Sequence, residues 1–137
     1  MQYIFVPIIH IADATAEVIG MTSLLKAGLL GTRFTMTDTF FTERLKLHYN
    51  IECIIPRIKD IDVLHRCIID ELTKGIFLPK TKEKILDIMY EVKARGAEGI
   101  IIACTELPLL ISQADFELQL FDTIKLHCIK AFDFILG

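Results

Sequence analysis

Cys104 stands where a thiol could do acid and base chemistry. It follows residues 99–103, which have the character of a buried strand, and precedes Thr-Glu-Leu-Pro at 105–108, which is typical of the first turn of a helix. The positive end of a helix dipole lowers the pKa of a cysteine from about 8.5 towards neutrality, so such a thiol can both accept and donate a proton. With solvent access added, Cys104 is expected to be the most reactive thiol of the chain. A buried structural cysteine is the commoner alternative, and it is favoured for Cys53, Cys67 and Cys128.

The segment Gly-Thr-Arg-Phe-Thr at 31–35 could hold a carboxylate. It follows another short strand and offers a flexible glycine, the hydroxyls of Thr32 and Thr35, and backbone N–H groups. The alternative is that threonine serves here as an ordinary helix N-cap, which is common in strand-to-helix loops.

Two further residues are candidates only through their neighbours. An acid such as Glu106 is favoured in the first turn of a helix by the dipole, whether or not it has a catalytic role. His127 lies four residues after Thr123 on the last predicted helix, so the two side chains share a face.

Several kinds of site lack their motifs. A phosphatase loop on Cys104 needs an arginine at position 110, which is Leu110, and the glycine-rich nucleotide motifs and H-E-x-x-H are absent. The four cysteines show neither a C-x-x-C pair nor metal-ligand spacing, so disulfides and zinc are not expected. A formal charge of −3 without a basic stripe makes nucleic acid a poor partner.

Alternating strand and helix patterns predict an α/β fold with a parallel sheet. The strand-like runs cover 4–9, 28–31, 51–55, 99–103 and 119–121. Helical stripes recur at Ile61, Leu64, Ile68 and Leu72, and at Ile85, Met89 and Val92. Helix ends are marked by Gly75 and Gly96, and a helix start by Pro79. Ligands of such sheets bind at the carboxyl ends of the strands, here at 10–13, 32–35, 56–59, 104–106 and 122–123.

The bulk composition indicates one domain with an apolar surface to cover. The chain has 137 residues, 53% of them hydrophobic, with a mean hydropathy of +0.48. No apolar run approaches the roughly 20 residues of a membrane span, and the first residues do not read as a secretory signal, so we expect a cytoplasmic protein.

Taken in order, several segments resemble the aspartate/glutamate racemase family. The Cys-Thr-Glu and Gly-Thr-x-x-Thr segments are specific in combination, and they favour the active-site interpretation of Cys104. The similar stretches are PIIHIADATAEVI at 7–19, GLLGTRFTMTDTFFTERL at 28–45, IECIIP at 51–56, GAEGIIIACTELPLL at 96–110 and FDTIKLHCIKAFDFIL at 121–136.

The resemblance implies a Rossmann-like three-layer domain, one half of a two-domain racemase, whose two cysteines face one substrate α-carbon. One thiolate removes the α-proton and the opposite thiol reprotonates the other face, without pyridoxal phosphate or metal. Cys104 would be one base. Thr32, Thr35 and Thr105 would bind substrate carboxylates, and Glu106 and His127 would lie near the cleft.

The chain also departs from the family pattern. The family's first cysteine lies in a Cys-Asn-Thr segment that is absent here, so we expect a C-terminal half: a remnant strand or linker at 1–9, the racemase-type domain at 10–118, and a last strand and helix at 119–137 that would pack partly on the other half. Ala103 stands where glycine is common, which would tighten the pocket.

Cys-Thr-Glu rather than Cys-Thr-His favours an aspartate or broad aspartate/glutamate racemase, although maleate isomerases and hydantoin racemases share the fold.

The sequence therefore leaves two functions open. One is an isomerase whose chemistry belongs to the full two-domain protein, acting on a dicarboxylic amino acid and inactive as this chain alone. The other is a non-catalytic carboxylate-binding or interaction module derived from a racemase. In either case we expect a homodimer or larger assembly, because Ile124, Phe132 and Ile135 on the last helix would otherwise lack cover.

Overall fold

The computed structural model describes residues 11–136, which form an α/β domain around a parallel sheet. The expected strand at 4–9 and His10 lie outside the described residues. The strands are β1 (Lys26–Gly31), β2 (Glu52–Ile54), β3 (Ile100–Ala103) and β4 (Leu120–Asp122). The helices are α1 (Ile11–Gly20), α2 (Arg33–Thr37), α3 (Thr39–Tyr49), α4 (Ile58–Arg66), α5 (Pro79–Ala94), α6 (Leu107–Leu110) and α7 (Thr123–Leu136).

The four strands have the order β2-β1-β3-β4 and all their pairings are parallel. Alternate residues of the strands enter two separate buried clusters, as a sheet covered on both faces requires. Leu30, Ile100 and Ile102 join the cluster that α4 and α5 cover. Leu29 and Ile101 join the cluster that α1 and α3 cover. The predicted three-layer α/β fold is confirmed.

The helical stripes read from the sequence form the core. All seven of their residues are buried; they are Ile61, Leu64, Ile68, Leu72, Ile85, Met89 and Val92. Gly75 and Gly96 have φ angles of +75° and +113°, which a residue with a Cβ rarely adopts. Pro79 occupies the first residue of α5, as predicted.

The end of α4 departs from regular helix. A π-helical turn at Cys67–Glu71 and a 3₁₀ turn at Leu72–Lys74 continue it to Gly75. The hydroxyl of Thr81, which is buried in the first turn of α5, donates a hydrogen bond to the Glu71 carboxylate. This contact ties the irregular segment to α5.

Two ion pairs fix helices on the α1 face of the sheet. Arg44 of α3 donates from Nε and a terminal nitrogen to the two carboxylate oxygens of Asp13, each at 3.0 Å. Lys130 of α7 lies 2.7 Å from a carboxylate oxygen of Glu17 on α1. Within residues 11–136, no helix is long and apolar enough to cross a membrane.

Candidate active site

The carboxyl ends of β1, β3 and β4 lie side by side. Gly31 pairs with Ala103, and Ile102 pairs with Asp122, so the three loops that follow these strands begin at neighbouring positions. These are the segments that begin at Thr32, Cys104 and Thr123. The structure confirms that the sequence-predicted loops at 32–35, 104–106 and 122–123 share one edge of the sheet. The loop at 56–59 follows β2, at the far side of β1.

A close approach of two backbones fixes the positions of the first two loops. A Cβ built on Gly31 would lie 2.9 Å from the carbonyl oxygen of Ala103 and 3.2 Å from the Thr35 Cβ. No real side chain fits in that space, so glycine is needed to bring β1, β3 and Thr35 together.

Cys104 lies at the end of β3, as expected, but its environment differs from the expectation. Its side chain is only 6% exposed and joins the buried cluster that contains Leu107 and Ile102. Burial raises the pKa of the thiol to about 11, although the backbone N–H groups of Leu107 and Glu106 oppose this rise. The prediction of a solvent-accessible thiol with a lowered pKa is therefore wrong for this chain.

The pKa of Cys104 is not lowered, because the helix that follows is short and begins late. The first helical residue is Leu107, three positions after Cys104, and α6 ends at Leu110. A single turn carries little macrodipole, so the loss of water around the sulfur outweighs the favourable field.

Glu106 is the hydrogen-bond partner of this thiol. The Sγ of Cys104 donates to Oε2 of Glu106 at 3.2 Å. Hydrogen bonds from the side chain of Thr105 and then from Cys104 lower the pKa of the Glu106 carboxyl. An ionised carboxylate beside the sulfur favours the protonated thiol, and it adds to the rise in the Cys104 pKa.

Thr32 and Thr35 form a pair of hydroxyls at the end of β1. Their Oγ1 atoms lie 3.4 Å apart, and both side chains are half-buried. Thr32 occupies the N-cap position of α2, yet its side chain makes no capping hydrogen bond. The ordinary capping interpretation therefore does not describe Thr32, and its hydroxyl faces Thr35 instead.

A link from this loop to α4 was not predicted. The backbone N–H of Arg33 donates to Nδ1 of His65 at 3.0 Å, and the Arg33 guanidinium pairs with Asp62. These contacts join α2 to α4 and hold the Arg33 charge against α4. The sequence separation of about thirty residues gave no local signal for them.

An open cleft of about 380 Å³ lies at this edge of the sheet. Thr35 is the only sequence-predicted substrate-binding residue among its described lining residues. The others are Ile11, Phe34, Asp38, Phe40, Phe41, Ala103, Thr123 and Ile124. Ala103, which the sequence suggested would tighten the pocket, forms part of its wall. Cys104 precedes α6 and its side chain belongs to the opposite face of β3 from the cluster that includes Phe41.

The start of α7 borders the same cleft. Thr123 is fully buried, and its hydroxyl donates to the carbonyl oxygen of Ile102 at 3.3 Å. Asp122 caps the helix by accepting from the N–H groups of Ile124 and Lys125, each at 3.1 Å. His127 is half-buried one turn later but does not line the cleft.

The other three cysteines are poor candidates for a second base. All four thiols are free. Cys53 lies within β2, where burial and then the charge of Glu52 raise its pKa to about 12. Cys67 is buried in the π-helical turn, and Cys128 is exposed on α7.

The chain matches the family model described as Asp/Glu/Hydantoin racemase over residues 2–131. The chain belongs to this family. The match covers nearly the whole chain and includes the Cys-Thr-Glu and Gly-Thr-x-x-Thr segments at the edge of the sheet. The resemblance read from the sequence is confirmed.

Crystal structures of two family relatives share the fold closely. A Yersinia pestis protein provisionally named an Asp/Glu racemase is 38% identical with a TM-score of 0.92, and an aspartate racemase homologue from Pyrococcus horikoshii OT3 is 36% identical with a TM-score of 0.88. Each alignment covers 96% of this chain but only 57% of the relative. The chain thus spans little more than half the length of these relatives.

Two further proteins are similar. An aspartate racemase from Picrophilus torridus has the same fold, with a TM-score of 0.64 and 24% identity over 84% of this chain and 47% of its own. A Pectobacterium carotovorum protein of uncharacterised function, encoded in the region 3′ of pnlA, is 30% identical over 111 residues. That alignment covers 77% of this chain and 68% of the relative.

Proposed function

We propose that this chain supplies one half of the active site of an amino-acid racemase that uses two cysteines and no cofactor. The observation that carries the proposal is the neighbouring position of Cys104 and the Thr32–Thr35 hydroxyl pair, at the paired ends of β3 and β1. A base and a carboxylate-binding group at one sheet edge are what proton transfer at an amino-acid α-carbon requires.

In the proposed reaction, Cys104 acts as a base. Its thiolate takes the α-proton: the C–H bond breaks, an S–H bond forms, and the electron pair delocalises into the substrate carboxylate. Hydroxyls of Thr32 and Thr35 donate to the carboxylate oxygens, where the negative charge grows. A thiol on the opposite face then returns a proton to the carbon, and inversion results.

The second thiol comes from outside this chain in our proposal, because none of its other three cysteines lies at a strand end. The lengths of the two crystal-structure relatives support this arrangement, since the chain spans 57% of each. We propose that it corresponds to their C-terminal half.

The proposed roles of Thr105, Glu106 and His127 are secondary. Glu106 accepts a hydrogen bond from the Cys104 thiol and favours its protonated form, so it serves to position the proton. Thr105 is exposed, and its side chain forms a hydrogen bond with Glu106, so Thr105 lies near the site. His127 follows Thr123 by one turn of α7 and would approach the substrate from the β4 side.

The substrate class of the proposal is amino acids. Aspartate and glutamate come first in the panel to be tested, because those names are attached to the relatives. The Glu after Cys-Thr agrees with the aspartate or broad aspartate/glutamate type.

A carboxylate-binding module without turnover is the second candidate. The burial of Cys104 and its pKa of about 11 favour it, because little thiolate forms near neutral pH. In that case the hydroxyl pair would bind a ligand and the thiol would remain protonated.

Exchange of the α-proton with solvent distinguishes the two. L-Aspartate, L-glutamate and neutral amino acids are incubated with the chain in D₂O at alkaline pH, and the α-proton signal is followed by NMR. We expect exchange that Cys104→Ala abolishes and that Thr35→Val weakens. Thr73→Val is the matched control, because Thr73 is exposed and donates only within its own helix. Exchange that persists in Cys104→Ala, or no exchange with any amino acid, would contradict the racemase proposal.

A further inference from the structure

The cleft beside the candidate site has an apolar wall. Its lining includes three phenylalanines, two isoleucines and Ala103, and of these Phe34 is 79% exposed and Phe40 64% exposed. Covering apolar side chains that are this exposed to water with an apolar group lowers the free energy. A volume of about 380 Å³ is on the scale of small-molecule pockets.

The charge of the cleft is negative. Asp38 is the one charged residue among the described lining residues. Its carboxylate accepts from the Phe40 N–H at 2.9 Å and thereby caps α3. Residues 1–10 contain neither lysine nor arginine. A second carboxylate placed beside Asp38 would therefore meet a negative charge.

The nearest arginine in sequence is engaged elsewhere. Arg33 does not line the cleft, and its guanidinium pairs with Asp62 of α4. Its backbone N–H is bonded to His65 on the same helix. In the segment that follows β1, Phe34 and Thr35 therefore line the cleft, whereas the Arg33 guanidinium contacts α4.

The cleft adjoins the ends of β1 and β3, where the α-carbon of a bound substrate would lie in the proposed reaction. Thr35 contributes both to the cleft wall and to the hydroxyl pair, and Ala103 immediately precedes Cys104. An amino acid whose α-carboxylate binds Thr35 can place its side chain against the phenylalanines. We infer that this cleft binds the substrate side chain and selects an apolar amino acid, of the size of leucine or phenylalanine, over aspartate and glutamate. This inference rests on the proposed function and assigns apolar amino acids as the preferred members of its substrate class.

Binding to the 137-residue chain tests the selection directly. Saturation-transfer NMR titrations with L-leucine, L-phenylalanine and L-aspartate give the three dissociation constants. We expect leucine and phenylalanine to bind about tenfold or more tightly than aspartate, the discrimination typical of apolar pockets. Aspartate binding as tight as leucine, or no saturable binding of either apolar amino acid, overturns the inference.

Two substitutions change the cleft without burying new groups. Phe34→Lys adds a cation at an exposed position, so we expect weaker leucine binding and tighter aspartate binding. Asp38→Asn removes the anion but keeps a good N-cap, so we expect tighter binding of L-aspartate and unchanged binding of L-leucine. Leu47→Lys on α3 is the matched control, because Leu47 is 78% exposed and lies outside the cleft. Equal effects of Phe34→Lys and Leu47→Lys would overturn the assignment.

The same samples separate this inference from the proposed function. Cys104→Ala should keep the preference for leucine, since the cleft wall is intact. Leucine that binds but never exchanges its α-proton would contradict the racemase proposal and leave the binding site standing. Exchange of aspartate with no binding of leucine would contradict the selectivity and leave the racemase proposal standing.

Discussion

The Sγ atom of Cys104 lies 3.2 Å from the Oε2 atom of Glu106, and the thiol donates to the carboxylate. This bond and the burial of the sulfur act in the same direction, since both favour the neutral thiol. The base of the proposed reaction thus rests in its protonated form. Its reactivity should depend on what removes that proton.

The first prediction concerns the order and pH dependence of alkylation. Cys128 is exposed and Cys104 is buried, so iodoacetamide should label Cys128 first at neutral pH. Because the Cys104 pKa is about 11, its labelling rate should still be rising at alkaline pH, when most of an ordinary thiol has ionised. Peptide mapping by mass spectrometry at several pH values gives both rates. Preferential labelling of Cys104 at neutral pH would contradict the burial described above.

A second prediction tests the Glu106 contact. Glu106→Gln removes the carboxylate charge, so the pKa of Cys104 should fall while remaining raised by burial. Each half unit of decrease multiplies the thiolate fraction about threefold below the pKa. Labelling of Cys104 should therefore be faster in this variant than in Glu83→Gln, which changes an exposed carboxylate on α5. Equal rates in the two variants would show that Glu106 does not set the proton affinity of the sulfur.

The third prediction concerns the approach of β1 to β3. Gly31→Ala should destabilise the protein by about 1–3 kcal/mol, because the added Cβ meets the Ala103 carbonyl oxygen and Thr35. Thr35 must move as well, so amino-acid binding should weaken. Gly20→Ala is the control, since a Cβ there meets nothing within 4 Å. Urea unfolding of both variants gives the comparison, and a neutral Gly31→Ala would mean that the strands have room to separate.

The sequence predicted the parts of this fold that depend on local pattern. The stripe from Ile61 to Leu72 and the left-handed Gly75 follow from helix periodicity and from the absence of a glycine Cβ, and both are present. The edge that carries Thr32 and Cys104 followed from the rule that ligands gather at the carboxyl ends of parallel strands.

Features that depend on contacts between distant segments could not be predicted from local sequence patterns. The raised pKa of Cys104 depends on the four-residue length of α6 and on burial in the cluster that contains Leu107, neither of which has a sequence signature. The cleft combines Ile11, Phe41 and Ile124 from three helices. The closely spaced phenylalanines after the Gly-Thr-x-x-Thr segment were the available signal for it.

The fourth prediction concerns the buried contact at the π-helical turn. Thr81→Val replaces the donor to the Glu71 carboxylate with an apolar group of the same shape, and leaves that acceptor without this partner. The expected cost is about 1–3 kcal/mol of unfolding free energy. Thr37→Val should cost less, because Thr37 is exposed and its hydroxyl donates within its own helix. Thermal unfolding of the two variants gives the difference, and equal losses would argue against a role for the Thr81 bond.

A fifth prediction concerns association through α7. Ile124, Phe132 and Ile135 are 37%, 61% and 77% exposed, so the outer face of this helix presents the apolar surface expected from the sequence. We expect concentration-dependent association in sedimentation velocity, and we expect Phe132→Glu with Ile135→Glu to shift it towards monomer. Leu47→Glu on α3 is the control, because Leu47 is similarly exposed on another helix. A monomer at all concentrations would contradict this prediction.

The last prediction is that the 137-residue chain exchanges an α-proton but does not racemise. Inversion needs a donor on the face opposite Cys104, and the remaining thiols lie within β2, within the π-helical turn and on α7. A single base removes the proton, the resulting S–H exchanges with D₂O, and the S–D returns a deuteron to the same face, so configuration is retained while the label enters. Chiral chromatography of L-amino acids incubated in D₂O measures both quantities at once, beside Cys104→Ala. Racemisation that Cys104→Ala abolishes would show that this chain, or an assembly of its copies, already contains both proton donors.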